Sequence, residues 1–381
     1  MTRFERIHVQ GFRRLSDLDL DLRPLNVLIG ANGSGKTSLL DLFSLLAASA
    51  SGGLSTGLSE LGGMTSVLSL DKAKQLSFEL MMTVTQPHIN PLTYRLTIAP
   101  SGVAYQIMEE KLHQYHGPML FHHLDARPGD IGYADQRGEL VSPTWDYKPL
   151  ETALSQVPKL FSEPEEFRDR LASSTYYHAL NVEPRAPVRL PQPLRPATLP
   201  GKDGEDLVSC LFYLRETDRD RFEAVEDALR VAFPGFVRLD FPPVAAGTLA
   251  MTWRDNNFTR PFYMHQLSEG TLRFLWLATL LQSPGLTGVT LLDEPEVSLH
   301  PELLNLLAGL MREASSRTQL IVATHADRLI RFLEPNEVVV MDLDEDGTVC
   351  AQWGDQLDLD EWLKEYTLDE VWRLGLMGGR A

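Results

Sequence analysis

The stretch Leu25-Asn-Val-Leu-Ile-Gly-Ala-Asn-Gly-Ser-Gly-Lys-Thr-Ser38 decides the fold class. It starts with a short apolar run of strand length, and Thr37 to Leu46 continues with apolar residues at helical spacing. The glycine-rich turn between them matches the phosphate-binding pattern Gly-x-x-x-x-Gly-Lys-Thr in full. A strand before the turn and a helix after it are the context that this pattern requires, so the sequence predicts a phosphate-binding loop.

The residue types of this loop indicate how it would bind a nucleotide. Its glycines let the backbone turn successive N–H groups inward, and the following helix adds its positive end. We expect Lys36 to reach the β- and γ-phosphates of ATP and to act in catalysis, and Thr37 to ligate Mg²⁺. The predicted nucleotide contacts in the loop are Gly30, Asn32, Gly33, Ser34, Gly35, Lys36, Thr37 and Ser38.

A second apolar run, Val289 to Leu292, leads directly into Asp293 and Glu294. We interpret it as a buried strand, and open α/β sheets bind their ligands at the carboxyl ends of such strands. Asp293 is the second predicted Mg²⁺ ligand. Glu294 is predicted to accept a proton from the attacking water or to orient it.

Two further segments are candidate contacts for the γ-phosphate. Ser268 precedes an apolar helix and can serve as its N-cap, which leaves backbone N–H groups facing outward, so Ser268 and Gly270 are predicted nucleotide contacts for another molecule's ATP. Taken alone, the segment is equally well explained as a capped helix without chemistry. His325 follows the apolar run Gln319 to Thr324, where an imidazole could contact the γ-phosphate and sense its loss; a core histidine is the alternative.

The order of these motifs resembles that of the ABC-type ATPases. Ser268-Glu-Gly is similar to their signature motif, Glu296-Val-Ser-Leu-His-Pro to their D-loop, and Ala323-Thr-His to their switch-histidine strand end. Together with the N-terminal Phe12-Arg-Arg-Leu, the residues of these motifs are similar to those of the RecF, SMC and OLD-like branch rather than to those of membrane transporters. Two features depart from the transporter pattern: Glu269 stands where transporters have glycine, and no Q-loop glutamine is assigned.

The resemblance implies an α/β P-loop NTPase fold, namely an ABC-type nucleotide-binding domain with an antiparallel β edge and a helical insertion. We expect residues 1–104 and 261–381 to form the two parts of the ATPase domain, and residues 105–260 to form an inserted mixed or helical subdomain. The tail from Tyr366 and the segment Asp218 to Phe236 resemble single-domain ATPases of this branch that lack a Toprim nuclease domain.

The resemblance also implies ATP hydrolysis with Mg²⁺ in a homodimer. In this family the signature segment lies far from its own phosphate loop, so two copies must sandwich two ATP molecules. DNA, and a nuclease or effector encoded separately, are the partners that the branch suggests. A regulatory switch that gates a protein partner without nucleic acid is the alternative function.

Composition restricts these choices only in part. The 381-residue chain has a formal net charge of −17, which disfavours tight nonspecific binding to nucleic acid but leaves a local basic groove open. No signal-peptide pattern and no bilayer-spanning apolar run are evident, so we expect a cytoplasmic protein without a membrane partner. Cys210 and Cys350 are far apart and are predicted to be buried thiols.

Local patterns give further expectations. The stretch from His113 to His123 is interpreted as a solvated loop rather than a metal site, and Asp342 to Gly347 as a turn between edge strands rather than a Toprim motif. Arg185, Arg189 and Arg195 could equally be solvated or contact nucleic acid or a partner. The remaining predictions are a hairpin of Phe4–Leu15 with Leu18–Leu22, a flexible loop at 49–63, strands at 76–84 and 92–98, an extended connector at 184–200, and helices at 207–214, 218–232, 272–281 and 301–314.

Overall fold

The computed structural model describes residues 2–69, 72–84, 90–135, 138–286, 288–344 and 346–378. Within them the strands are Phe4–Phe12 (β1), Leu15–Asp21 (β2), Leu25–Ile29 (β3), Leu76–Met82 (β4), Leu92–Ser101 (β5), Ala104–His116 (β6), Met119–Arg127 (β7), Asp130–Ala134 (β8), Leu140–Val141 (β9), Thr175–Tyr177 (β10), Gln192–Pro193 (β11), Phe236–Asp240 (β12), Pro243–Ala245 (β13), Thr248–Leu249 (β14), Thr252–Asp255 (β15), Phe262–Tyr263 (β16), Val289–Asp293 (β17), Gln319–Ala323 (β18), Val338–Leu343 (β19) and Val349–Trp353 (β20). The helices in the same ranges are Lys36–Ala50 (α1), Leu54–Glu60 (α2), Met64–Val67 (α3), Ser162–Ala172 (α4), Leu207–Thr217 (α5), Arg219–Ala232 (α6), Glu269–Gln282 (α7), Pro301–Ser315 (α8), Asp327–Ile330 (α9) and Leu368–Arg373 (α10).

The chain forms two compact units. The first unit consists of Met1–Thr175, Pro335–Tyr366 and Val371–Ala381, and the second of Tyr176–Glu334 and Thr367–Glu370. These boundaries fall at other residues than the predicted segments 1–104, 105–260 and 261–381, and that division stays a prediction.

The first unit contains an antiparallel sheet of eight strands in the order β2-β1-β4-β5-β6-β7-β8-β9. Phe4, Ile7 and Val9 of β1 are fully buried, with a register shift between Phe4 and Arg6, and Val9 lies opposite Leu18 of β2. The predicted hairpin and the predicted strands β4 and β5 are therefore confirmed. Residues 104–141 continue this sheet as β6 to β9, so the helical part of the 105–260 segment begins only at α4.

A second set of strands in the first unit positions the glycine-rich turn. β3 pairs parallel with β19, and β19 pairs antiparallel with β20. All five residues of β3 are buried, as expected for a parallel strand that is covered on both faces. α1 begins directly after the turn, so the predicted strand, turn and helix are confirmed. The interpretation of Asp342 to Gly347 as a turn between edge strands is wrong for β19, because β19 pairs with a strand on each side, and Glu345 lies outside the described residues.

The loop predicted at residues 49–63 is wrong, because α2 lies within it. The Glu151 carboxylate accepts a hydrogen bond from the backbone N–H of Leu54 at 2.8 Å, which satisfies a donor at the start of the helix. Leu54 and Leu58 are buried. A partner 97 positions away and apolar burial thus stabilise a helix that the local glycines and serines disfavour.

The second unit carries the predicted βαβ pattern. β17 and β18 pair parallel, from Val289 opposite Gln319 to Asp293 opposite Ala323, and α8 connects them. The helices predicted at 207–214, 218–232, 272–281 and 301–314 are confirmed as α5, α6, α7 and α8. In the proline-rich connector there is one short 3₁₀ turn, Pro187–Arg189, and otherwise extended chain or turns with the short strand β11.

Two other predictions are corrected. The histidines from His113 to His123 lie on β6 and β7 instead of in a loop. His123 is buried, because the antiparallel sheet continues through β6 and β7 where the sequence predicted no strand. Cys210 is buried as predicted, but Cys350 is exposed because it faces outward on β20. Arg195 pairs with Asp206 while its side chain stays about half exposed, so both interpretations of this arginine stay predictions.

None of the described helices is long and apolar enough to cross a membrane.

Candidate nucleotide-binding site

The glycine-rich turn folds as a tight cradle in the first unit. Gly33 and Gly35 have φ of 82° and 96°, and Gly35 caps the start of α1. A Cβ on Gly30 would come within 2.1 Å of the carbonyl oxygen of Met341, so this position admits no side chain. Ser34 and Gly35 are buried, whereas Asn32, Gly33 and Thr37 are exposed and Ser38 is half-buried.

Lys36 places its ammonium group inside this cradle. It is 3% exposed, and its Nζ donates to the carbonyl oxygens of Gly30 at 2.7 Å and Ala31 at 2.9 Å. It also approaches the Ser34 hydroxyl at 3.4 Å. A cation held among inward-turned backbone groups at a helix N-terminus is chemically suited to phosphate oxygens. Nearby, Arg14 Nη2 lies 4.0 Å from the position that a Cβ on Gly33 would take.

Asp293 stands at the end of β17 in the second unit, where two side chains from β10 and the following residue contact it. The Tyr176 hydroxyl donates to Asp293 Oδ2 at 3.2 Å, and His178 Nδ1 lies 3.7 Å from the same oxygen. The Asp293 side chain is 18% exposed. Its contacts fix the direction of a carboxylate that the sequence predicts as a Mg²⁺ ligand.

Glu294 follows at a turn with an unusual backbone conformation. Its φ is 49°, and its N–H donates to the carbonyl of Ala323 at 2.9 Å, which ties the end of β17 to that of β18. The His325 Nε2 lies 3.8 Å from Glu294 Oε1, and both side chains are exposed. The two residues predicted to act on water and on the γ-phosphate therefore neighbour each other.

The predicted signature segment starts α7. Ser268 is its N-cap, and its hydroxyl accepts from the N–H of Thr271 at 3.2 Å. A Cβ on Gly270 would lie 2.9 Å from the carbonyl oxygen of Ser298 in the predicted D-loop, so glycine allows these segments to approach. Arg189 of the connector donates to the Leu267 carbonyl at 2.9 Å, just before the cap.

The donor set is compatible with Mg²⁺. Mg²⁺ prefers oxygen ligands and usually keeps several waters and substrate phosphate oxygens, so the Thr37 hydroxyl in the first unit and the Asp293 carboxylate in the second are each of a ligand type that Mg²⁺ accepts. Among the residues that the structure describes, no three His, Cys, Asp or Glu side chains are grouped as a metal site.

Sequence reasoning missed several contacts of these residues. Tyr176, His178 and Arg189 lie in segments without a motif. The hydrogen-bond partner of Tyr176 is 117 positions away, and that of Arg189 is 78 positions away. Of these three, only Arg189 gave a signal in the sequence, as one of the connector arginines that could contact nucleic acid or a partner.

Comparison with known proteins identifies the family. Residues 25–331 match the family described as "AAA domain, putative AbiEii toxin, Type IV TA system". The chain belongs to this AAA-domain family. An OLD nuclease of Thermus scotoductus is 22% identical over 339 residues, which are 84% of this chain and 58% of the relative. The AAA-domain protein thus spans about 58% of the length of that relative.

Solved structures with the same fold are SMC head domains. An SMC head bound to the C-winged helix domain of ScpA has a TM-score of 0.56 at 15% identity and covers 93% of this chain and 99% of its own. An SMC head with an extended coiled coil, bound to the C-terminal domain of ScpA derived from Pyrococcus furiosus, has a TM-score of 0.53 at 13% identity, with 96% and 98% covered. The AAA-domain protein therefore has the ABC-type P-loop NTPase fold of the RecF, SMC and OLD-like branch, which confirms the predicted fold class and resemblance.

Proposed function

We propose that this protein is a cytoplasmic ATPase whose ATP-bound form is a homodimer. The observation that carries the proposal is the loop that holds the Lys36 ammonium within 2.9 Å of two loop carbonyls, in a cradle closed to side chains at Gly30. When nucleotide arrives, its phosphate oxygens replace these carbonyls as partners of Lys36. Membership in the AAA-domain family supports nucleotide binding at this loop.

The residues of the second unit are assigned to hydrolysis. Asp293 would hold Mg²⁺ with Thr37, which comes from the first unit, and the ion would neutralise charge on the phosphate oxygens. Glu294 orients a water and accepts its proton as the water oxygen bonds to the γ-phosphorus and the bond to the bridging oxygen of ADP breaks. His325, 3.8 Å from Glu294, contacts the γ-phosphate and responds to its loss.

The dimer follows from the signature segment. Ser268 is exposed at the start of α7, where backbone N–H groups and the positive end of the helix face outward. We assign Ser268 and Gly270 to the γ-phosphate of ATP bound by a second copy, in a twofold arrangement with two composite sites. ATP then acts as a clamp that holds the two copies together.

We assign the clamp to DNA, in repair or in defence against phage, together with a nuclease or effector. The similarity to an OLD nuclease supports this target. The second candidate is a switch that gates a protein partner, which is favoured by the net charge of −17 and by the ScpA domains bound to the similar SMC heads.

Phosphate release from ATP tests the proposal and separates the two targets. Wild type and Lys36→Ala are compared with duplex DNA, with single-stranded DNA and without DNA, over a range of salt. Hydrolysis that DNA stimulates, and that falls steeply with salt, supports the DNA target. Hydrolysis that ignores DNA supports the protein partner, and a wild type no faster than Lys36→Ala in every condition overturns the ATPase itself.

A further inference from the structure

A second carboxylate lies two residues beyond Glu294 and contacts the segment after β18 that contains His325. Glu296 Oε1 accepts a hydrogen bond from the Thr324 hydroxyl at 2.5 Å. Thr324 is fully buried and directly precedes His325. The Glu296 carboxylate thus connects the segment after β17 to Thr324, the residue that directly precedes His325.

The Thr324 hydroxyl is used twice. It also accepts from the backbone N–H of Ala326 at 3.0 Å, so one hydroxyl spans the residues on both sides of His325. The bond from the Ala326 N–H restricts the backbone of His325, and the bond to Glu296 holds the hydroxyl in place, so together they restrict the direction in which the His325 side chain leaves the backbone.

Glu296 is half-buried, with one carboxylate oxygen out of contact with solvent. Its Oε2 is buried without a hydrogen-bond partner in the described structure, although an exposed carboxylate could hydrate both oxygens. Burial raises the pKa of Glu296 above its ordinary value, and hydrogen bonds from Thr324 and from backbone N–H groups, including that of His325, act in the opposite direction. Burying a carboxylate oxygen without a hydrogen bond is unfavourable, so this carboxyl is better explained by the orientation that it imposes on its partners than by a contribution to solubility.

We propose that Glu296 and Thr324 are positioning residues that hold the His325 ring next to Glu294. The pair forms a bridge 28 positions long in sequence between the two strand ends that carry the reacting side chains. The inference rests on the proposed ATPase function, because it assigns to this bridge the geometry of the hydrolytic step. Neither residue needs to touch nucleotide.

A residue at the opposite end of β18 offers a matched control. Thr318, just before β18, is also buried, and its hydroxyl donates to the Gly288 carbonyl at 2.9 Å. Thr318→Val and Thr324→Val each remove one buried hydroxyl with little change in volume, so they should cost similar stability. Only Thr324→Val removes the bridge to Glu296.

The test measures kcat and KM for ATP in Thr324→Val, Thr324→Ser, Thr318→Val and wild type, each also combined with His325→Ala. We expect Thr324→Val to lower kcat about tenfold or more while KM changes less than about twofold, since misplacing a reacting group mainly affects turnover. Thr324→Ser keeps the hydroxyl and should restore kcat to within about twofold of wild type. In the His325→Ala background Thr324→Val should add no further loss, because the effect passes through His325.

Three results would overturn the positioning role: unchanged kcat in Thr324→Val, an equal loss in Thr318→Val, or an undiminished loss in the His325→Ala background. The chemical shift of the His325 ring in nucleotide-free protein gives a readout without turnover. This chemical shift should differ from that of wild type in Thr324→Val and equal it in Thr318→Val. If wild type hydrolyses no ATP, the proposed function fails, and an unmoved His325 ring in Thr324→Val would show separately that the bridge does not position it.

Discussion

The phosphate loop and the acidic end of β17 differ in where their structural partners come from. Lys36 contacts Gly30, Ala31 and Ser34, all within six positions of itself. Asp293, by contrast, is contacted by Tyr176, 117 positions earlier in the chain. A loop that supplies its own partners can be recognised from consecutive residues, whereas a carboxylate that is oriented from far away cannot.

The largest effect should separate binding from hydrolysis in these two regions. Glu294→Gln keeps the shape of the side chain but removes the proton acceptor, so we expect hydrolysis to fall by roughly 10²–10⁴-fold with ATP still bound. Lys36→Ala should instead lose ATP affinity, because it removes the cation from the loop. ATP affinity is measured by titration and hydrolysis by phosphate release, both on each variant. Equal losses of ATP affinity in the two variants would contradict the separation of binding from hydrolysis.

A long-range carboxylate in the first unit extends the comparison to stability. Glu110 is buried and accepts from the backbone N–H groups of Ala153 at 2.6 Å and Leu154 at 2.8 Å. Burial raises the pKa of Glu110 from 4.5 to about 7. Between these pH values the folded protein keeps a proton that the unfolded chain has released, so the contribution of this group is full below pH 4.5 and is lost as the pH rises to about 7.

We therefore expect the free energy of unfolding of wild type to fall by about 3 kcal/mol more than that of Glu110→Gln over this interval, since glutamine does not titrate. Urea unfolding of both proteins at several pH values measures the difference, and other titrating groups cancel in it. Parallel pH profiles would contradict the assignment to Glu110.

A smaller effect should follow from loosening Asp293. Tyr176→Phe removes the hydroxyl that donates to Asp293 and leaves the ring, so we expect about tenfold more Mg²⁺ to be needed for half-maximal Mg²⁺-dependent nucleotide binding. Tyr213→Phe on α5 of the same unit is the control. If the two variants have the same Mg²⁺ dependence, Tyr176 does not orient this carboxylate.

Local periodicity predicted what depends on neighbours in sequence. β3, α1 and β17 carry continuous apolar runs or helical spacing, and each formed where the sequence predicted it. Helix α2 did not follow from its own glycines and serines, because Glu151 and the burial of leucines stabilise it.

The candidate site shows the same limit. Its motif residues stand out because phosphate and water chemistry requires particular side chains at particular spacings, as at Lys36 and Glu294. The side chains that contact motif residues or their neighbours, namely Tyr176 at Asp293, Arg189 at Leu267 and Thr324 at Glu296, are common residue types whose contacts appear only when distant segments come together.

The central claim, a composite site made by two copies, is tested most directly by mixing two inactive variants. Lys36→Ala disables the phosphate loop and Ser268→Ala the signature segment, so a mixed dimer retains one site with both parts intact. Random pairing puts half of the dimers in this form, and hydrolysis should recover to about a quarter of wild type. A mixture that stays as inactive as its components would contradict the ATP-sandwiched dimer.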